Sequence, residues 1–401
     1  MTLPLALNAR NTLPEDGTAG TLVGRAWLPA TASAPAGPAV VIVRTDGVFD
    51  ISDAAPTMSD LLELDDPVAV VRDTPGRWVG TLDSLLANAP ADTGRADTAH
   101  MLAPCDLQVI KAAGVTFAGS LIERVIEERT KGDPQGAAHL REQIQALIGE
   151  SLATLRAGSD EAQELKRLLI ARGMWSQYLE VGIGPDAEIF TKAPVLSSLG
   201  SGTEIGVHPG SAWNNPEPEI VLAIDSRGRV RGATLGNDVN LRDFEGRSAL
   251  LLGKAKDNNG SCAIGPFVRL FDEHFSIDDV RRATVELRVE GQDGFVLHGT
   301  SSMDQITRDP LDLVAQAIGA THQYPDGAML FLGTLFAPVE DRDTAGGGFT
   351  HKPGDVVTIS SRQLGALVNR VGTSDRIAPW TFGVRALMAN LATRRLLGAS
   401  R

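Results

Sequence analysis

The N-terminal part of the chain, residues 21–84, carries short apolar runs that are separated by turn signals. Residues 40–43 form one such run, and Thr-Asp-Gly at 45–47 follows it, which is typical of a strand that ends in a turn. Residues 57–62 begin with a threonine cap and end on an apolar pair, so they are predicted to form a short helix. Residues 1–86 are therefore predicted to form a small β-rich N-terminal domain.

The next segment is small, polar and contains proline and glycine. It starts at residues 87–94, and residues 87–102 are predicted to form a domain linker. Residues 120–180 then show apolar positions at helical spacing, first at 121–126 and again at 144–155. These stripes indicate helices that bury one face, and they carry no functional implication of their own.

From Ala187 onward the pattern changes to short apolar stretches broken by glycine, asparagine, aspartate and proline. Residues 220–224, 285–289 and 356–359 are examples, and each is typical of a strand. Residues 103–401 are therefore predicted to form a β-rich C-terminal domain of the mixed sandwich or roll type, and the whole chain an α+β fold.

Two carboxylates stand at the start of one predicted strand. Glu217 and Glu219 flank Pro218, and alternate residues of a strand share one face. A turn at residues 225–228 suggests a hairpin, whose register would place Glu219 opposite Gly236 and Glu217 opposite Asp238. Since proline lacks an N–H group, this end is expected at a sheet edge or a bulge.

Three acids so close together repel one another unless a cation lies between them or some are protonated. Glu217, Glu219 and Asp238 offer only hard oxygen ligands, which favour Mg²⁺, with Mn²⁺ or Ca²⁺ as substitutes. The pattern alone also fits a solvated strand face with a turn aspartate.

Two further segments contain residue types common at binding sites. Lys254 and Lys256 lie in a polar loop that enters an apolar run, where solvated lysines are the commoner outcome. Thr334 follows Gly333 at the end of another apolar run; glycine permits close backbone approach and the hydroxyl can bind a carboxylate. A simple turn is the commoner explanation of the second segment.

Composition limits the class of partner. The 401 residues include 43% hydrophobic and 22% charged residues, with a formal net charge of -13, which disfavours binding to nucleic acid and to anionic membranes. Cys105 and Cys262 are too few for a disulfide framework. Residues 1–20 contain no long apolar run, so neither a signal peptide nor a membrane span is expected, and the expected location is the cytoplasm.

Taken in order, several motifs resemble the fumarylacetoacetate hydrolase family over roughly residues 103–395. They are Gly-Val-Thr-Phe at 114–117, Ala-Glu-Ile-Phe-Thr-Lys-Ala-Pro at 187–194, Glu-Pro-Glu at 217–219, Gly-Asn-Asp-Val-Asn-Leu-Arg-Asp at 236–243, Lys256 with Cys-Ala-Ile-Gly-Pro at 262–266, Gly-Thr at 333–334 and Lys-Pro-Gly-Asp at 352–355. The resemblance implies that Glu217, Glu219 and Asp238 bind the metal.

The resemblance also implies roles for other residues. The family lysine stands six residues before the cysteine of the Cys-x-apolar-Gly-Pro run, which selects Lys256. The family threonine after glycine corresponds to Thr334, expected to contact the substrate carboxylate beside Gly333. The family tends to form dimers or larger assemblies, so a homo-oligomer, either dimer or tetramer, is expected.

One departure concerns the water-activating pair of the family's hydrolases, a His followed three residues later by Glu. This chain has Ser120 at the histidine position and keeps Glu123. A serine without a partner is a poor base near neutral pH. Hydrolysis of a carbon–carbon bond, as in acylpyruvates or 2,4-diketo sugar acids, is therefore the alternative rather than the first expectation.

The Gly-Val-Thr-Phe opening and Ser-Ser-Met at 301–303 resemble the 2-keto-3-deoxypentonate dehydratases of this family. That resemblance places Thr116, Phe117 and Ser302 among the substrate-binding residues. It implies dehydration of 2-keto-3-deoxy-xylonate or -arabinonate, a small 2-keto acid, to 2-ketoglutarate semialdehyde. A binder of keto acids without turnover is a third hypothesis.

In this scheme the metal polarises the 2-keto group and lowers the pKa of the C3 protons. Lys256 is expected to stabilise the enolate, or to act as base when neutral, since burial and a metal depress a lysine pKa. Glu123 is the expected acid for the leaving hydroxyl, and the two roles are interchangeable at this stage.

Overall fold

The structure is a computed structural model. It describes residues 3–32, 34–95, 97–130, 155–171, 173, 175–335, 338, 340–344 and 348–397. Most of the helical stripe predicted at 144–155 lies outside these residues.

The described residues contain both helices and strands. The strands are β1 (Leu22–Leu28), β2 (Gly37–Arg44), β3 (Gly47–Asp50), β4 (Arg77–Gly80), β5 (His100–Leu102), β6 (Val109–Gly114), β7 (Glu188–Ala193), β8 (Glu204–Val207), β9 (Asn214–Asn215), β10 (Pro218–Ile224), β11 (Val230–Asp238), β12 (Asn240–Leu241), β13 (Cys262–Leu270), β14 (Thr284–Glu290), β15 (Val296–Ser302), β16 (Ala328–Phe331), β17 (Val356–Ser361) and β18 (Gly365–Thr373). The helices are Ala9–Thr12, Met58–Glu63, Pro67–Asp73, Leu82–Ala87, Pro90–Thr93, Ala118–Thr130, Asp160–Ala171, Gln177–Ile183, Arg242–Glu245, Leu252–Lys256, Ile277–Arg282, Pro310–Ala317 and Val384–Thr393, with short 3-10 turns at Ala249–Leu251 and Met303–Gln305.

Two sheets organise these elements. The larger has eleven strands in the order β4-β3-β2-β1-β13-β11-β10-β16-β6-β7, with β5 paired to β1. The smaller has five strands in the order β15-β14-β17-β18-β8, and β9 pairs with β12 as a separate two-stranded unit. Mixed sheets with separate helices confirm the predicted α+β fold.

The larger sheet crosses the predicted domain boundary. Strand β1 pairs with β13 through Leu22 opposite Arg269 and Val23 opposite Val268. The predicted linker, residues 87–102, includes the helix Pro90–Thr93 and strand β5. The division into domains stays a prediction, and hydrogen bonds of one sheet run across it.

The hairpin of β10 and β11 lies in the middle of the larger sheet and is buried on both faces. Ile220 and Leu222 pack in a core shared with Leu287 of the smaller sheet. The intervening Val221 packs on the other face in a second core, which includes Ile42 of the N-terminal segment. Such two-sided burial explains why residues 220–224 are apolar without alternation.

The predicted helix start at Thr57 is present, and a second capped helix begins after Ser159. Thr57 caps the helix Met58–Glu63 by accepting a hydrogen bond from Asp60 N at 3.0 Å. Ser159 accepts one from Ala162 N at 3.2 Å at the start of the helix Asp160–Ala171. In the part of the chain that the structure describes, no helix is both long and apolar enough to cross a membrane.

Candidate active site

The β10–β11 hairpin brings the three predicted acids together. Glu219 lies opposite Gly236, and Asp238 N donates to the Glu217 carbonyl at 3.0 Å, as the sequence predicted. One carboxylate oxygen from each of Glu217, Glu219 and Asp238 lies within 4.8 Å of the others, and all three residues are buried. We call these three residues the acid cluster.

The hairpin lies inside the sheet, because β10 lies between β11 and β16. Strand β16 pairs with β10 only from Phe331 opposite Val221 onward. Pro218 is the first residue of β10 and lies beyond that pairing, so its missing N–H group removes no ladder hydrogen bond.

Cationic side chains surround two members of the acid cluster. Lys256 Nζ donates to Glu217 Oε2 at 2.5 Å and to Asp238 Oδ2 at 3.0 Å. Lys192 Nζ lies 2.8 Å from Asp238 Oδ1, and Arg124 donates to Glu217 Oε1 at 2.7 Å. Glu217 and Asp238 are thereby held as carboxylates in a buried position.

Glu219 is placed differently. Its Oε2 accepts a hydrogen bond from Gly333 N at 2.6 Å, and no ion pair with Glu219 occurs among the described residues. Burial, followed by the negative charges of Asp238 and Glu217, raises the pKa of Glu219 well above its ordinary value. A further positive charge beside Glu219 would therefore stabilise the acid cluster.

A divalent cation fits this environment. The three acids present oxygen ligands only, as Mg²⁺ prefers, and a cation between them would offset the mutual repulsion that raises the pKa of Glu219. The charges of the acid cluster are unevenly neutralised. Lys256 and Lys192 offset the charge of Asp238, whereas the donor to Glu219 among the described residues is the backbone N–H of Gly333.

The pKa of Lys256 differs from the expectation. Burial alone lowers the pKa of this ammonium group, but the carboxylates of Asp238 and Glu217 outweigh burial and raise it above the ordinary value. The expected lowering of this pKa refers to a metal-bound site and stays a prediction; in the chain without a metal, two acids lie within hydrogen-bond reach and have the opposite effect. Lys256 is thus cationic between these acids.

The loop after β16 forms one wall of the cavity above the acid cluster. Gly333 has a φ of 88°, and an added Cβ would lie 2.1 Å from Thr116 Oγ1. Thr116 in turn donates to the Leu332 carbonyl at 2.7 Å. Gly333 and Thr334 line the cavity together with the acid cluster and Lys256, so the backbone at Gly333 requires glycine for this approach.

The helix Ala118–Thr130 forms the opposite wall. Ser120 lines the cavity and donates to the Phe117 carbonyl at 2.8 Å. Glu123 lines an adjoining cavity and accepts a hydrogen bond from Arg242 at 2.9 Å. No histidine is among the described residues that line these two cavities.

Three predicted substrate-binding residues lie outside these cavity walls: Thr116, Phe117 and Ser302. Phe117 is fully buried and packs in the core with Ile220. Ser302 donates to Asp304 Oδ1 at 2.6 Å near the surface, while its neighbour Ser301 is buried and accepts a hydrogen bond from Leu335 N at 3.0 Å. The roles given to Thr116, Phe117 and Ser302 stay predictions.

Sequence reasoning missed several charged residues of the site. Arg124 binds Glu217 and also Glu245, at 2.8 Å from the latter, and Lys192 reaches Asp238 from β7. Lys192 lies in one of the motifs that carried the resemblance, and Arg124 directly follows Glu123; both signals were present. Glu188, whose pKa burial raises, also lines the cavity.

Parts of the sequence are similar to a known family model and to known proteins. Residues 184–372 match the family model described as fumarylacetoacetate (FAA) hydrolase, C-terminal. A 2-dehydro-3-deoxy-D-arabinonate dehydratase of Saccharolobus solfataricus is 30% identical over 184 residues, which are 46% of this chain and 58% of that protein. A probable 2-keto-3-deoxyxylonate dehydratase of Haloferax volcanii is 28% identical over 200 residues, 50% of this chain and 65% of that protein. The matches thus span less than two thirds of either relative.

Solved structures resemble the fold over most of the chain. The apo form of a 2-keto-3-deoxy-D-arabinonate dehydratase superposes with a TM-score of 0.60 at 20% identity, covering 88% of this chain and 99% of that chain. A form of such an enzyme complexed with magnesium and 2,5-dioxopentanoate gives a TM-score of 0.59 at 20% identity, with the same coverage of 88% and 99%. Residues 184–372, the part of the chain that matches the fumarylacetoacetate hydrolase family model, hold the acid cluster.

Proposed function

We propose that the protein is a Mg²⁺-dependent hydro-lyase that converts 2-keto-3-deoxy-D-xylonate or -arabinonate to 2-ketoglutarate semialdehyde. The acid cluster, buried beside Lys256, carries the proposal. Support comes from the two dehydratases of similar sequence and from the similar fold of an enzyme complexed with magnesium and 2,5-dioxopentanoate, another name for this semialdehyde.

The residues that would hold the metal are Glu217, Glu219 and Asp238. A bound Mg²⁺, or Mn²⁺ in its place, would supply Lewis acidity toward a 2-keto acid and so lower the pKa of the C3 protons. The acid cluster lies at the buried end of the cavity, which orients the carboxylate and keto end of the substrate inward.

Thr334 and Lys256 line the cavity beside the acid cluster. We assign the Thr334 hydroxyl to the substrate carboxylate. The ammonium group of Lys256, held by Glu217 and Asp238, stabilises the negative charge that develops on the C2 oxygen as the C3 proton leaves. A fixed cation in a buried site is effective in this role, because it requires little reorganisation during the reaction.

Glu123 is the proton-transfer group in this proposal. Arg242 lies 2.9 Å from its carboxyl group and positions it, and we assign to this group the acceptance of the C3 proton and its return to the departing C4 hydroxyl as water. The resulting C3–C4 alkene still carries the C5 alcohol. Loss of a C5 proton, protonation of C3 and tautomerisation at C4 then give the semialdehyde without an external oxidant.

Ser120 favours dehydration over the alternative hydrolysis. Its hydroxyl donates to the Phe117 carbonyl, an arrangement that turns its proton away from a reacting water. Hydrolysis of an acylpyruvate needs a base that activates water, and no histidine is among the described residues that line the cavity.

The test is a panel of 2-keto-3-deoxypentonates and acylpyruvates, assayed with Mg²⁺ and again with EDTA. A coupled semialdehyde dehydrogenase should report product from the pentonates only, and EDTA should abolish it. Pyruvate release from an acylpyruvate, without semialdehyde, would identify a hydrolase instead. Tight oxalate or pyruvate binding without any turnover would identify a binding protein.

Assembly and location complete the proposal. We expect a homo-oligomer, dimer or tetramer, in the cytoplasm, with a small 2-keto acid as substrate and no nucleic-acid or membrane partner. Size-exclusion chromatography with light scattering measures the assembly directly.

A further inference from the structure

A second cavity adjoins the acid cluster and contains two buried asparagines. Its lining includes Asn215 and Asn240, which are 1% and 0% exposed. The two cavities share lining residues, among them Glu217 and Thr334. A substrate held at the acid cluster can therefore extend its other end toward Asn215 and Asn240, which we call the amide pair.

Local strand pairing aligns the amide pair. Asn240 of β12 lies directly opposite Asn215 of β9 in an antiparallel register. Directly opposed residues of two strands project to the same face, so the two amides stand side by side. This short ladder follows directly after Asp238, which ties the position of the amide pair to that of the acid cluster.

The amide pair has hydrogen-bonding capacity that the protein does not use. Among the described residues, neither Oδ1 nor Nδ2 of Asn240 has a hydrogen-bond partner, and Oδ1 of Asn215 has none. Asn215 Nδ2 is satisfied by the Pro216 carbonyl at 2.9 Å. A buried amide without partners destabilises the folded state compared with an apolar side chain of similar shape. Three unpartnered atoms at one cavity therefore point to a ligand that satisfies them.

The available atoms specify the chemistry of that ligand. Asn240 offers one donor group and one acceptor, and Asn215 offers a second acceptor. A hydroxyl group can accept from Nδ2 and donate to an Oδ1 at the same time, whereas a carboxylate or phosphate can only accept. The charged residues that line this cavity are paired, Glu123 with Arg242 and Glu217 with Arg124, so no net positive charge there favours an anionic end group.

We propose that the amide pair binds the C5 hydroxyl of the 2-keto-3-deoxypentonate and sets the preference for a hydroxylated chain end. This inference rests on the proposed function. The C1 and C2 oxygens lie at the acid cluster and the C4 hydroxyl leaves, so C5 carries the one hydroxyl that is kept. Binding it aligns C3 and C4 with Glu123 in the same cavity.

The test compares two substrates that differ only at C5. One is 2-keto-3-deoxy-D-xylonate or -arabinonate, and the other is 4-hydroxy-2-oxopentanoate, in which hydrogen replaces the C5 hydroxyl. Both can lose water across C3 and C4, and proton NMR follows the disappearance of each. The wild type should favour the hydroxylated acid in kcat/KM by about 100-fold, because a site built around a hydroxyl discriminates against its absence.

The Asn240→Leu variant should lose about 100-fold in kcat/KM toward the hydroxylated acid, and stay within about threefold of wild type toward the 5-deoxy acid. Asn240→Ser serves as a second variant if leucine does not fit. Circular dichroism and Mg²⁺ titration check that the fold and the acid cluster are intact. Without ligand, Asn240→Leu should melt at a higher temperature than wild type, since it removes unpartnered polar atoms.

Asn214→Ala is the matched control from the same strand. Asn214 is buried but already paired, since its Oδ1 accepts from His351 N at 3.1 Å. Its loss should lower the melting temperature and leave the ratio of the two kcat/KM values unchanged.

Two results would overturn the proposal while leaving the dehydratase function intact. One is equal kcat/KM for both acids in the wild type, and the other is an unchanged preference in Asn240→Leu. If the wild type consumes neither acid, both proposals fail together.

Discussion

Glu219 Oε2 accepts a hydrogen bond from the backbone N–H of Gly333 at 2.6 Å. This contact joins the start of strand β10 to the loop after β16, and it lies beside the acids that would hold the metal. The φ of 88° at Gly333 aims that N–H inward, and Thr116 Oγ1 occupies the space that a side chain would need. The geometry of the acid cluster therefore depends on a residue without a Cβ.

Gly333→Ala should lower both stability and Mg²⁺ affinity. The left-handed backbone alone costs about 1–3 kcal/mol for a residue with a side chain, and the new Cβ would meet Thr116 Oγ1 at 2.1 Å. Gly294→Ala is the matched control, since Gly294 has a φ of 81° with nothing within 4 Å of its added Cβ. Chemical denaturation and Mg²⁺ titration measure the two effects. Equal losses in both variants would contradict a special role for Gly333.

Glu219→Gln should abolish stabilisation by Mg²⁺ without destabilising the metal-free protein. The amide of glutamine keeps the shape of the Glu219 side chain. It removes the carboxyl group, whose pKa is raised by burial. The wild type at a Mg²⁺ concentration 100 times its Kd should gain about 2.7 kcal/mol in the free energy of unfolding, and the variant should gain none. Glu204→Gln, at an exposed position of β8, should behave as wild type. A variant that still responds to Mg²⁺ would remove Glu219 from the metal site.

Lys256→Met should lower kcat/KM by about 10²–10³-fold, since it removes the cation assigned to the developing charge. It also leaves Glu217 and Asp238 without their shared donor, so the metal-free variant should melt earlier. Lys254→Met, two residues away and exposed, should keep the activity. Loss of activity in Lys254→Met but not in Lys256→Met would reverse the assignment.

Glu123→Gln should reduce kcat by about 10²–10⁴-fold, because it removes the carboxylate that moves the proton. Mg²⁺ affinity should be unchanged, since Glu123 lies outside the acid cluster. Glu128→Gln on the same helix is the control and should retain activity. A Glu123→Gln enzyme with full kcat would assign the proton transfer to another group.

Stability should decrease as the pH falls through about 6.5, partly because of His351. Burial lowers the pKa of His351, with Asp355 opposing this in part. The folded pKa therefore lies below the unfolded one, so the unfolded chain takes up its proton first and stability is lost on acidification. His100 is buried with a lowered pKa as well. Melting temperatures between pH 8 and 5 should fall less steeply in His351→Gln than in wild type.

The control for this titration is His298→Gln, since His298 is exposed on β15. It should leave the pH dependence of the melting temperature as in wild type. An equal slope in His351→Gln and wild type would contradict a contribution from His351.

The sequence predicted the local part of the site better than its surroundings. Alternation along one strand and a countable turn were enough to place Glu217, Glu219 and Asp238 together, because a hairpin register is a local property. The position of the hairpin inside the sheet was not predictable locally, since β13 and β16 come from distant parts of the chain.

The charges around the acid cluster depend on the same long-range packing. Arg124 and Lys192 reach it from a helix and a strand that no local pattern links to the hairpin. The raised pKa of Lys256 follows from its own contacts with Asp238 and Glu217. The sequence did not show which of Ser301 and Ser302 faces inward, whereas strand β15 shows that it is Ser301.

The pairing of β1 with β13 also bears on how the protein can be dissected. Val23 and Ile42 pack in one core with Val221 of the hairpin. A truncated chain that begins at residue 103 would lose this cover and would leave the β1 side of β13 without its strand partner. Uncovered apolar edges of this kind promote aggregation. Expression of the catalytic part alone should therefore yield insoluble material, whereas coexpression with residues 1–102 as a separate fragment offers a route to complementation.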